Sequence, residues 1–297
     1  MRNKLSSGCA DLPKVSIGIP TYNRAEMLKR SVESALHQDY ENIEVIVSDN
    51  ASTDQTKEIC RFYYEKFGSR IKYFRQSENL GPTANFSKVL EMASGELFMW
   101  LGDDDWLDTS YVRNCLAELR SNPTLSLVSG CPQYYRNGLP VFEGKRFDLP
   151  YESWWLRVAI YYAKVADNGI FYGLMRTEQI KQINMVNTMG GDWHVIASLS
   201  SMGKMKTIPE IFVHRELGGA TISYHQIAHS LGLSKFQAFF PILSTAFSAW
   251  GYIVIKGTSY HSRSILKRLV LGSVVFGVIL LKHALRYLIR AVKVIFK

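Results

Sequence analysis

Three consecutive carboxylates, Asp103, Asp104 and Asp105, directly follow the apolar run 97–101. Charged groups beside a desolvated strand cost on the order of several kcal/mol unless something neutralises them. The usual partner is a hard divalent cation, which prefers oxygen ligands and often binds phosphate as well. Because open α/β sheets bind ligands at the carboxyl ends of their strands, the triplet predicts a metal–phosphate site, with an acidic surface turn as the alternative.

The elements that must position this triplet are short apolar runs that alternate with segments of helical periodicity. The predicted strands are 15–19, 43–47, 71–75 and 97–101, and the predicted helices are 24–38, about 56–67 and about 79–93. Strands that alternate with helices at this spacing predict an α/β fold with a mostly parallel sheet and helices on both faces.

Polar residues follow the other predicted strands as well. Thr21 and Asn23 come after the first strand, and Asp49 ends the second. Since parallel strands end on one edge of a sheet, we expect these groups and the triplet to share a rim that suits a nucleoside diphosphate. The sequence has no Gly-x-Gly-x-x-Gly and no P-loop motif, which argues against a dinucleotide redox enzyme and an ordinary NTPase.

Charge divides the chain into a near-neutral body and a basic, apolar tail. The net charge is +9, yet no Asp or Glu follows Glu216, whereas Lys and Arg recur from Lys235 to Lys297. This asymmetry indicates an anionic membrane surface or nucleic acid as a partner. The uncharged run 269–281 argues against nucleic acid, and it is shorter than the roughly twenty residues that span a bilayer.

The end of the tail predicts a helix that lies in the membrane interface. Its cations fall within an arc of about 80° on a helical wheel; they are Lys282, Arg286, Arg290, Lys293 and Lys297. We therefore expect residues 226–297 to associate with anionic membranes, with a second apolar stretch at 236–255; a core-packed helix is the alternative. Four scattered cysteines and no signal-peptide-like start favour a cytoplasmic body.

An ordered set of motifs resembles the family-two glycosyltransferases. They are Val15–Arg24, Ser34–Tyr40, Glu44–Asp54, Asn79–Gly81 with Asn85, Ala93–Glu96, Gly102–Asp105, Gly190–Asp192 and Ile208–Arg215. The resemblance covers residues 13–225 and implies the Rossmann-related GT-A fold. It implies a nucleotide-binding half at about 13–130 and an acceptor half at about 131–225, after an N-terminal tail at 1–12.

The resemblance implies roles on the donor side of the site. The nucleotide-sugar contacts would be Pro20, Thr21, Asn23, Asp49, Asp103, Asp104 and Arg215. Among them, Asp49 matches the base-binding aspartate, and Asp103 and Asp105 match the ends of the Asp-x-Asp motif. Asp105, with Asp103, would hold Mn²⁺ or Mg²⁺ on the diphosphate. His214 is a weaker candidate for a metal or diphosphate contact.

On the acceptor side the resemblance implies one catalytic carboxylate. Asp192 takes the place of the family's general base at a helix start, although Gly191 stands where the family usually has Glu. The alternative is that Asp192 only caps the helix. Trp193, beside it, is our candidate for a ring that stacks on the acceptor sugar.

Together these features predict an inverting hexosyl- or deoxyhexosyltransferase of bacterial surface-polysaccharide synthesis, such as O-antigen. The donor would be a nucleoside-diphosphate sugar, with UDP as the family default. The acceptor would be a lipid-linked glycan at the cytoplasmic face of the inner membrane. Two alternatives remain: a metal-dependent nucleotidyl- or phosphoryl-transfer enzyme, and a non-catalytic membrane-binding protein.

Overall fold

The computed structural model describes residues 12–166, 168–217 and 224–295, so the predicted tail at 1–12 lies almost wholly outside the described residues. The first half runs β1 (Val15–Thr21), α1 (Ala25–Leu36), β2 (Ile43–Asp49), α2 (Thr56–Phe67), β3 (Ile71–Arg75), α3 (Pro82–Met92), β4 (Leu97–Trp100), β5 (Trp106–Leu107) and α4 (Tyr111–Ser121). This alternation confirms the predicted α/β order. Helix α3 starts later than predicted, because Gly81 has φ 82° and Pro82 takes the first helical position.

The second half begins with β6 (Leu125–Arg136), β7 (Leu139–Glu143), α5 (Trp154–Lys164), β8 (Leu174–Arg176), α6 (Thr177–Ile180), α7 (Gly191–Met202) and β9 (Lys204–Glu216). Helices α8 (Tyr224–Ser230), α9 (Lys235–Phe239), α10 (Pro241–Gly251) and α11 (Ile265–Ile295) follow.

One mixed sheet organises the molecule, in the order β3-β2-β1-β4-β8-β6-β9-β5, with β7 paired to β6. Strands β3, β2, β1 and β4 are parallel. Strand β8 runs antiparallel to both β4 and β6, and β5 runs antiparallel to β9. The prediction of a mostly parallel sheet therefore holds for the nucleotide-binding half and is wrong for the second half.

Burial explains why the parallel half forms. Every residue of β1 and β2 is buried, as expected of central strands with protein on both faces. Helix α1 buries Leu28, Val32 and Ala35, which share one helical face. This packing fixes the carboxyl ends of β1, β2 and β4 along one edge.

A register shift brings the end of β9 to the same region. Gly130 of β6 pairs with Ile208, but the next residue, Cys131, pairs with Phe212. A Cβ atom on Gly130 would stand 2.5 Å from the Ile211 carbonyl oxygen, so only glycine allows this approach. Beyond the shift, His214 pairs with Trp106 of β5, the residue after the aspartate triplet.

The long helix α11 packs on the body. Leu271, Val275 and Ile279 lie on one face and are at most 3% exposed. The core-packed alternative is therefore correct for this face, while Leu266, Val270, Leu281 and Leu285 are exposed. Among the described residues, no helix is both long and apolar enough to cross a membrane.

Lys282 does not face outward as the predicted basic stripe requires. Its Nζ donates hydrogen bonds to the carbonyl oxygens of Tyr162 and Val165 at the end of α5. The periodicity identified which residues share a face but not which way that face points. The side chains of Arg286, Arg290 and Lys293, and the whole of Lys297, lie outside the described residues.

Candidate active site

The first two aspartates of the triplet share one guanidinium. Arg24, at the start of α1, donates from Nη1 to Asp103 Oδ1 at 3.0 Å and to Asp104 Oδ2 at 2.9 Å. Thr21, at the end of β1, donates from Oγ1 to Asp103 Oδ2 at 2.8 Å. The ends of β1 and β4 thus converge as predicted, and Arg24 provides a cation that faces the rim.

The third aspartate belongs to a different group. Asp105 Oδ2 lies 3.6 Å from Arg215 Nε, and its Oδ1 accepts a hydrogen bond from the Glu216 backbone N–H at 3.2 Å. The Arg215 guanidinium also lies 4.9 Å from the centre of the Tyr172 ring, and the Tyr172 hydroxyl helps to lower the pKa of Asp105. Strand β9 therefore brings its last residues against the triplet.

Burial dominates the electrostatics of these carboxylates. It raises the pKa of Asp103 to about 6, although the Arg24 charge opposes the shift. Burial likewise raises the pKa of Asp105, and the positive charge of Arg215 opposes it. Both groups are desolvated, and their arginine partners compensate only part of that cost.

The donor set fits a divalent cation that is shared with a substrate. The triplet supplies only oxygen ligands. The carboxylates of Asp104 and Asp105 approach each other over Gly102, which has no side chain to obstruct them. A Cβ on Gly102 would lie 2.7 Å from Asp105 Oδ2 and 3.1 Å from Asp104 Oδ1. Within the described residues, no group of three or more His, Cys, Asp or Glu side chains could hold a metal alone. Mg²⁺ typically takes one or two carboxylates and completes its shell with phosphate oxygens and water.

The predicted nucleoside contacts lie along the same edge, in tight local structure. Pro20 is buried in β1, and Asn23 has φ 52° and accepts the Thr53 backbone N–H at 2.7 Å. Asp49 is fully buried: Oδ1 accepts the Ser52 N–H at 2.8 Å, and Oδ2 accepts the Tyr73 hydroxyl at 2.7 Å. Because Asp49 is fully buried, a direct contact with a base requires the residues that cover its carboxylate to move.

Asp192 lies in the first turn of α7, where the sequence predicts it. Its side chain is exposed to solvent, yet crowding by the protein raises its pKa, while a hydrogen bond from Asn168 opposes that shift. The distance from Asn168 Nδ2 to Asp192 Oδ2 is 2.7 Å. The positive charge of Arg215 also lowers the pKa of Asp192, as it lowers the pKa of Asp105.

His214 is not placed as a metal ligand, contrary to the prediction. Its Nε2 lies 2.7 Å from Asp108 Oδ1, and its Nδ1 lies 3.1 Å from the Tyr135 hydroxyl. The ring stacks on Trp106, with centroids 5.0 Å apart. Because protein groups engage both ring nitrogens, His214 fixes the residue that follows the triplet instead.

Trp193 is half-buried beside Asp192. Lys282 Nζ lies 5.3 Å from the centre of its ring, so α11 covers part of the ring that was predicted to stack on a sugar.

Three residues of this site were not predicted: Arg24, Asn168 and Tyr172. Arg24 ends the first recognised motif, and its charge beside a carboxylate triplet was an available signal. Asn168 and Tyr172 lie in a segment whose aromatic residues read as core, and only the tertiary structure brings them to the aspartates.

The arrangement can bind a diphosphate and remove a proton. Arg24, Arg215 and the aspartate triplet line the carboxyl edge of the parallel strands. The carboxylates of the triplet could hold a cation between them. Asp192 is a separate carboxylate with a raised pKa, and the positive charge of Arg215 opposes that rise. The fold and the site together describe an α/β group-transfer domain of the GT-A type.

Comparison with known proteins identifies the family. The model of glycosyl transferase family 2 matches residues 16–181, more than half of the chain, so the protein belongs to that family and is a glycosyltransferase. GalNAc(5)-diNAcBac-PP-undecaprenol beta-1,3-glucosyltransferase of Campylobacter jejuni is 41% identical over 97 residues, which are 32% of this chain and 31% of that protein. Abequosyltransferase RfbV of Salmonella typhimurium is 41% identical over 95 residues, which are 31% of this chain and 28% of that protein. These matches span about a third or less of each relative.

Solved structures share the fold at low identity. S. aureus TarS 1–349 in complex with UDP-GlcNAc has a TM-score of 0.56 and 18% identity, covering 80% of this chain and 72% of TarS 1–349. The mannosyltransferase PcManGT of Pyrobaculum calidifontis, in complex with GDP-Man and Mn²⁺, has a TM-score of 0.56 and 16% identity. That match covers 95% of this chain and 81% of PcManGT.

Proposed function

We propose that this chain transfers a sugar from a nucleoside-diphosphate sugar to a glycan hydroxyl with inversion at the anomeric carbon. The observation that carries the proposal is a chain of contacts from Asp105 to Asp192. Arg215 Nε lies 3.6 Å from Asp105 Oδ2, and its guanidinium lies 4.9 Å from the centre of the Tyr172 ring. Asn168, at the other end of the same short turn, donates to Asp192 Oδ2 at 2.7 Å. The group that would face the diphosphate and the group that would take the proton therefore belong to one site.

In the proposed reaction the acceptor oxygen attacks the anomeric carbon as the bond to the diphosphate oxygen breaks. Asp192 accepts the hydroxyl proton, and the nucleoside diphosphate leaves with the bonding electron pair. A raised pKa makes Asp192 a better base near neutral pH than an ordinary aspartate. Arg24 and Arg215 supply positive charge on the side where the diphosphate charge develops.

The cofactor of the proposed reaction is Mn²⁺ or Mg²⁺, which Asp105 would hold together with Asp103. When bound, the cation would act as a Lewis acid that stabilises the leaving diphosphate. The protein's own part is to gather the carboxylates around Gly102 and to hold them there through Arg24 and Arg215. His214 has no place in this proposal.

The donor and acceptor classes draw support from similar proteins. TarS is described in complex with UDP-GlcNAc, and the Campylobacter relative is named for a substrate linked to undecaprenol by diphosphate. We propose a UDP-sugar as the donor and a lipid-linked glycan in bacterial polysaccharide synthesis as the acceptor.

A lipid-linked acceptor requires the site to approach a membrane, and we propose peripheral attachment at the cytoplasmic face through the tail. The support is the exposed apolar stripe on α11, formed by Leu266, Val270, Leu281 and Leu285, in a region without acidic residues. Deleting 265–297 is a poor test because it would remove α11 and expose the apolar surface of the body that Leu271, Val275 and Ile279 cover. Leu266→Gln together with Leu281→Gln should weaken binding to anionic vesicles, whereas Phe62→Gln, an exposed change on α2, should not.

Product analysis tests the proposed function. Purified protein incubated with a panel of nucleotide sugars, Mn²⁺ and a lipid-linked acceptor should release nucleoside diphosphate and form a glycoside of inverted configuration. Release of pyrophosphate from nucleoside triphosphates would instead support the nucleotidyltransferase alternative. Asp192→Asn should lower transfer by about two to four powers of ten while donor binding persists; near-normal transfer would leave Asp192 with a capping role only.

A further inference from the structure

A single short turn touches both halves of the proposed site. Asn168 precedes a turn of 3₁₀-helix, Gly169–Tyr172, that connects α5 to β8. At one end, the Asn168 amide donates to Asp192 at 2.7 Å. At the other end, the Tyr172 ring lies 4.9 Å from the guanidinium of Arg215, whose Nε lies 3.6 Å from Asp105 Oδ2. We call residues 168–172 the bridging turn.

The bridging turn is anchored more firmly than an ordinary loop. Phe171 stacks on the buried Trp100 of β4, with ring centroids 4.7 Å apart and planes 9° apart. A Cβ on Gly169 would lie 2.7 Å from Pro132 Cγ, so the chain passes against β6 where only glycine fits. The Tyr172 carbonyl oxygen accepts the Tyr111 hydroxyl at 3.0 Å. These contacts tie the turn to the strand that leads into the aspartate triplet and to its neighbours.

A second hydrogen bond, from Tyr161, also orients the Asn168 side chain. The Tyr161 hydroxyl donates to Asn168 Oδ1 at 2.7 Å, which leaves the amide nitrogen directed at Asp192 Oδ2. Asn168 has φ 51°, a left-handed conformation that asparagine tolerates better than most residues. The chain Tyr161–Asn168–Asp192 therefore fixes the rotamer of the proposed base by hydrogen bonds on both sides of one amide.

We propose that the bridging turn is a positioning device, in which Asn168 orients the base Asp192 and Tyr172 orients Arg215, the partner of the donor-side carboxylate Asp105. The inference rests on the proposed function, since it assigns the base role to Asp192. Its consequence is that the distance between the proton acceptor and the leaving-group site is set by one rigid segment rather than by two independent loops. A near-attack geometry depends on such fixed separations.

Asn168→Gly tests the acceptor end, because glycine keeps the positive φ and removes only the amide. We expect kcat to fall about 10- to 100-fold with the donor Kd unchanged. The acidic limb of the kcat–pH profile should move to higher pH, since the lost hydrogen bond favours the ionised carboxylate. The other groups that act on Asp192 are the backbone N–H groups of Trp193 and of Asp192 itself, Arg215 on β9 and Tyr162 on α5, and the substitution leaves all of them in place.

Asn137→Gly is the matched control. Asn137 has φ 53° in the turn between β6 and β7, so the same replacement is made in the same backbone conformation away from Asp192. Its kcat and its acidic limb should equal those of the parent. Tyr161→Phe should reproduce the Asn168→Gly effect in weaker form, because it removes only the orienting bond.

Tyr172→Leu tests the donor end, because it removes the ring that lies beside the Arg215 guanidinium. We expect the Kd of the nucleoside diphosphate with Mn²⁺ to rise about three- to tenfold, the usual worth of a cation–π contact, with the acidic limb of kcat unmoved. Tyr172→Phe keeps the ring and should have the smaller effect. Phe171→Leu loosens the shared anchor and should impair both readouts at once. Phe62→Leu, at an exposed phenylalanine on α2, should change neither.

The outcomes separate this inference from the proposed function. If Asp192→Asn abolishes transfer while Asn168→Gly leaves kcat and the acidic limb unchanged, the base assignment stands and the bridging turn is overturned. If Phe171→Leu alters only one readout, the two ends are independent and the device is overturned. If Asp192→Asn retains transfer, the proposed function fails first.

Discussion

The two edges of the parallel half-sheet both bury carboxylates, but they treat the charge in opposite ways. At the amino edge, Glu44 of β2 is 1% exposed and lies 2.8 Å from Lys14 Nζ and 2.7 Å from Lys72 Nζ. Ser16 and Ser94 also donate to it. Burial alone would raise the pKa of Glu44, but these partners outweigh burial and hold it well below its usual range.

At the carboxyl edge the balance is reversed. Burial raises the pKa of Asp103 and Asp105 more than Arg24 and Arg215 lower it. A carboxylate that the fold fully satisfies contributes to stability, whereas one left under-compensated retains capacity for an incoming cation or ligand. Structure and function can thus be separated by asking which buried charges lack sufficient partners.

Asp105→Asn should produce the largest effect on this comparison. Loss of the third carboxylate should reduce transfer by about a hundredfold or more, because the cation that is proposed to stabilise the leaving diphosphate loses a protein ligand. Stability should change little, since the charge removed is a poorly compensated one. Steady-state kinetics with Mn²⁺ and a thermal melt measure the two quantities. Wild-type Mn²⁺-dependent activity in this variant would contradict the metal assignment.

Glu44→Gln should give the opposite pattern. The two lysines and the buried Ser16 hydroxyl lose their ionic partner, and unfolding free energy should fall by about 2 kcal/mol. Turnover per folded molecule should stay at the parent value because the residue lies on the far edge. Denaturant titration alongside kcat detects this. A large loss of kcat in the folded variant would mean that the edges are coupled.

Arg24→Lys should have a smaller effect on the donor side. Lysine keeps the charge but loses the planar guanidinium, whose Nη1 donates to Asp103 and Asp104 together. Donor affinity should drop by about three- to tenfold, with kcat reduced less. Calorimetric titration with a nucleoside diphosphate and Mn²⁺ measures the change. Arg113→Lys is the matched control, because Arg113 on the surface of α4 forms an ion pair with Asp39. It should leave donor affinity unchanged.

The smallest expected effect is the pH dependence of the difference in unfolding free energy between the parent and the Glu44→Gln variant. The folded pKa of Glu44 lies below its unfolded value, so the unfolded state binds more protons as the solution becomes acidic. The stabilisation is therefore fully present above about pH 4.5 and fades as the pH falls further. Parent and variant stabilities, measured by urea titration from pH 7 to pH 3, should converge. A constant difference would show that Glu44 acts through shape rather than charge.

The sequence predicts the parallel half well because its signals are local. Apolar runs, helical periodicity and polar strand ends place Thr21, Asn23, Asp49 and the triplet on one edge before any contact is known. The mixed half resists prediction because β8 is only three residues long and β6 pairs with β9 across a long stretch of chain. Helical periodicity likewise could not say that Lys282 turns toward α5.

Within the site, the sequence identifies charged residues and misses their neutral partners. Asp192 and Arg215 stand out by type and motif. Asn168 and Tyr172 do not, because an asparagine and a tyrosine in an aromatic-rich segment have many ordinary roles. Their significance arises only from the bridging turn, which is a tertiary arrangement.

The pairing of β6 with β9 has a consequence for the order in which the chain folds. Gly130 pairs with Ile208, and β1 pairs with β4 across a similar stretch of chain, Val15 with Leu97. Pairings that close such long loops carry a larger loop-closure entropy than local contacts and form more slowly. Asp105 and Arg215 are farther apart in sequence than either of these pairs, so their contact has the largest closure cost of the three. We therefore expect the proposed site to be complete only when β9 has paired with β6.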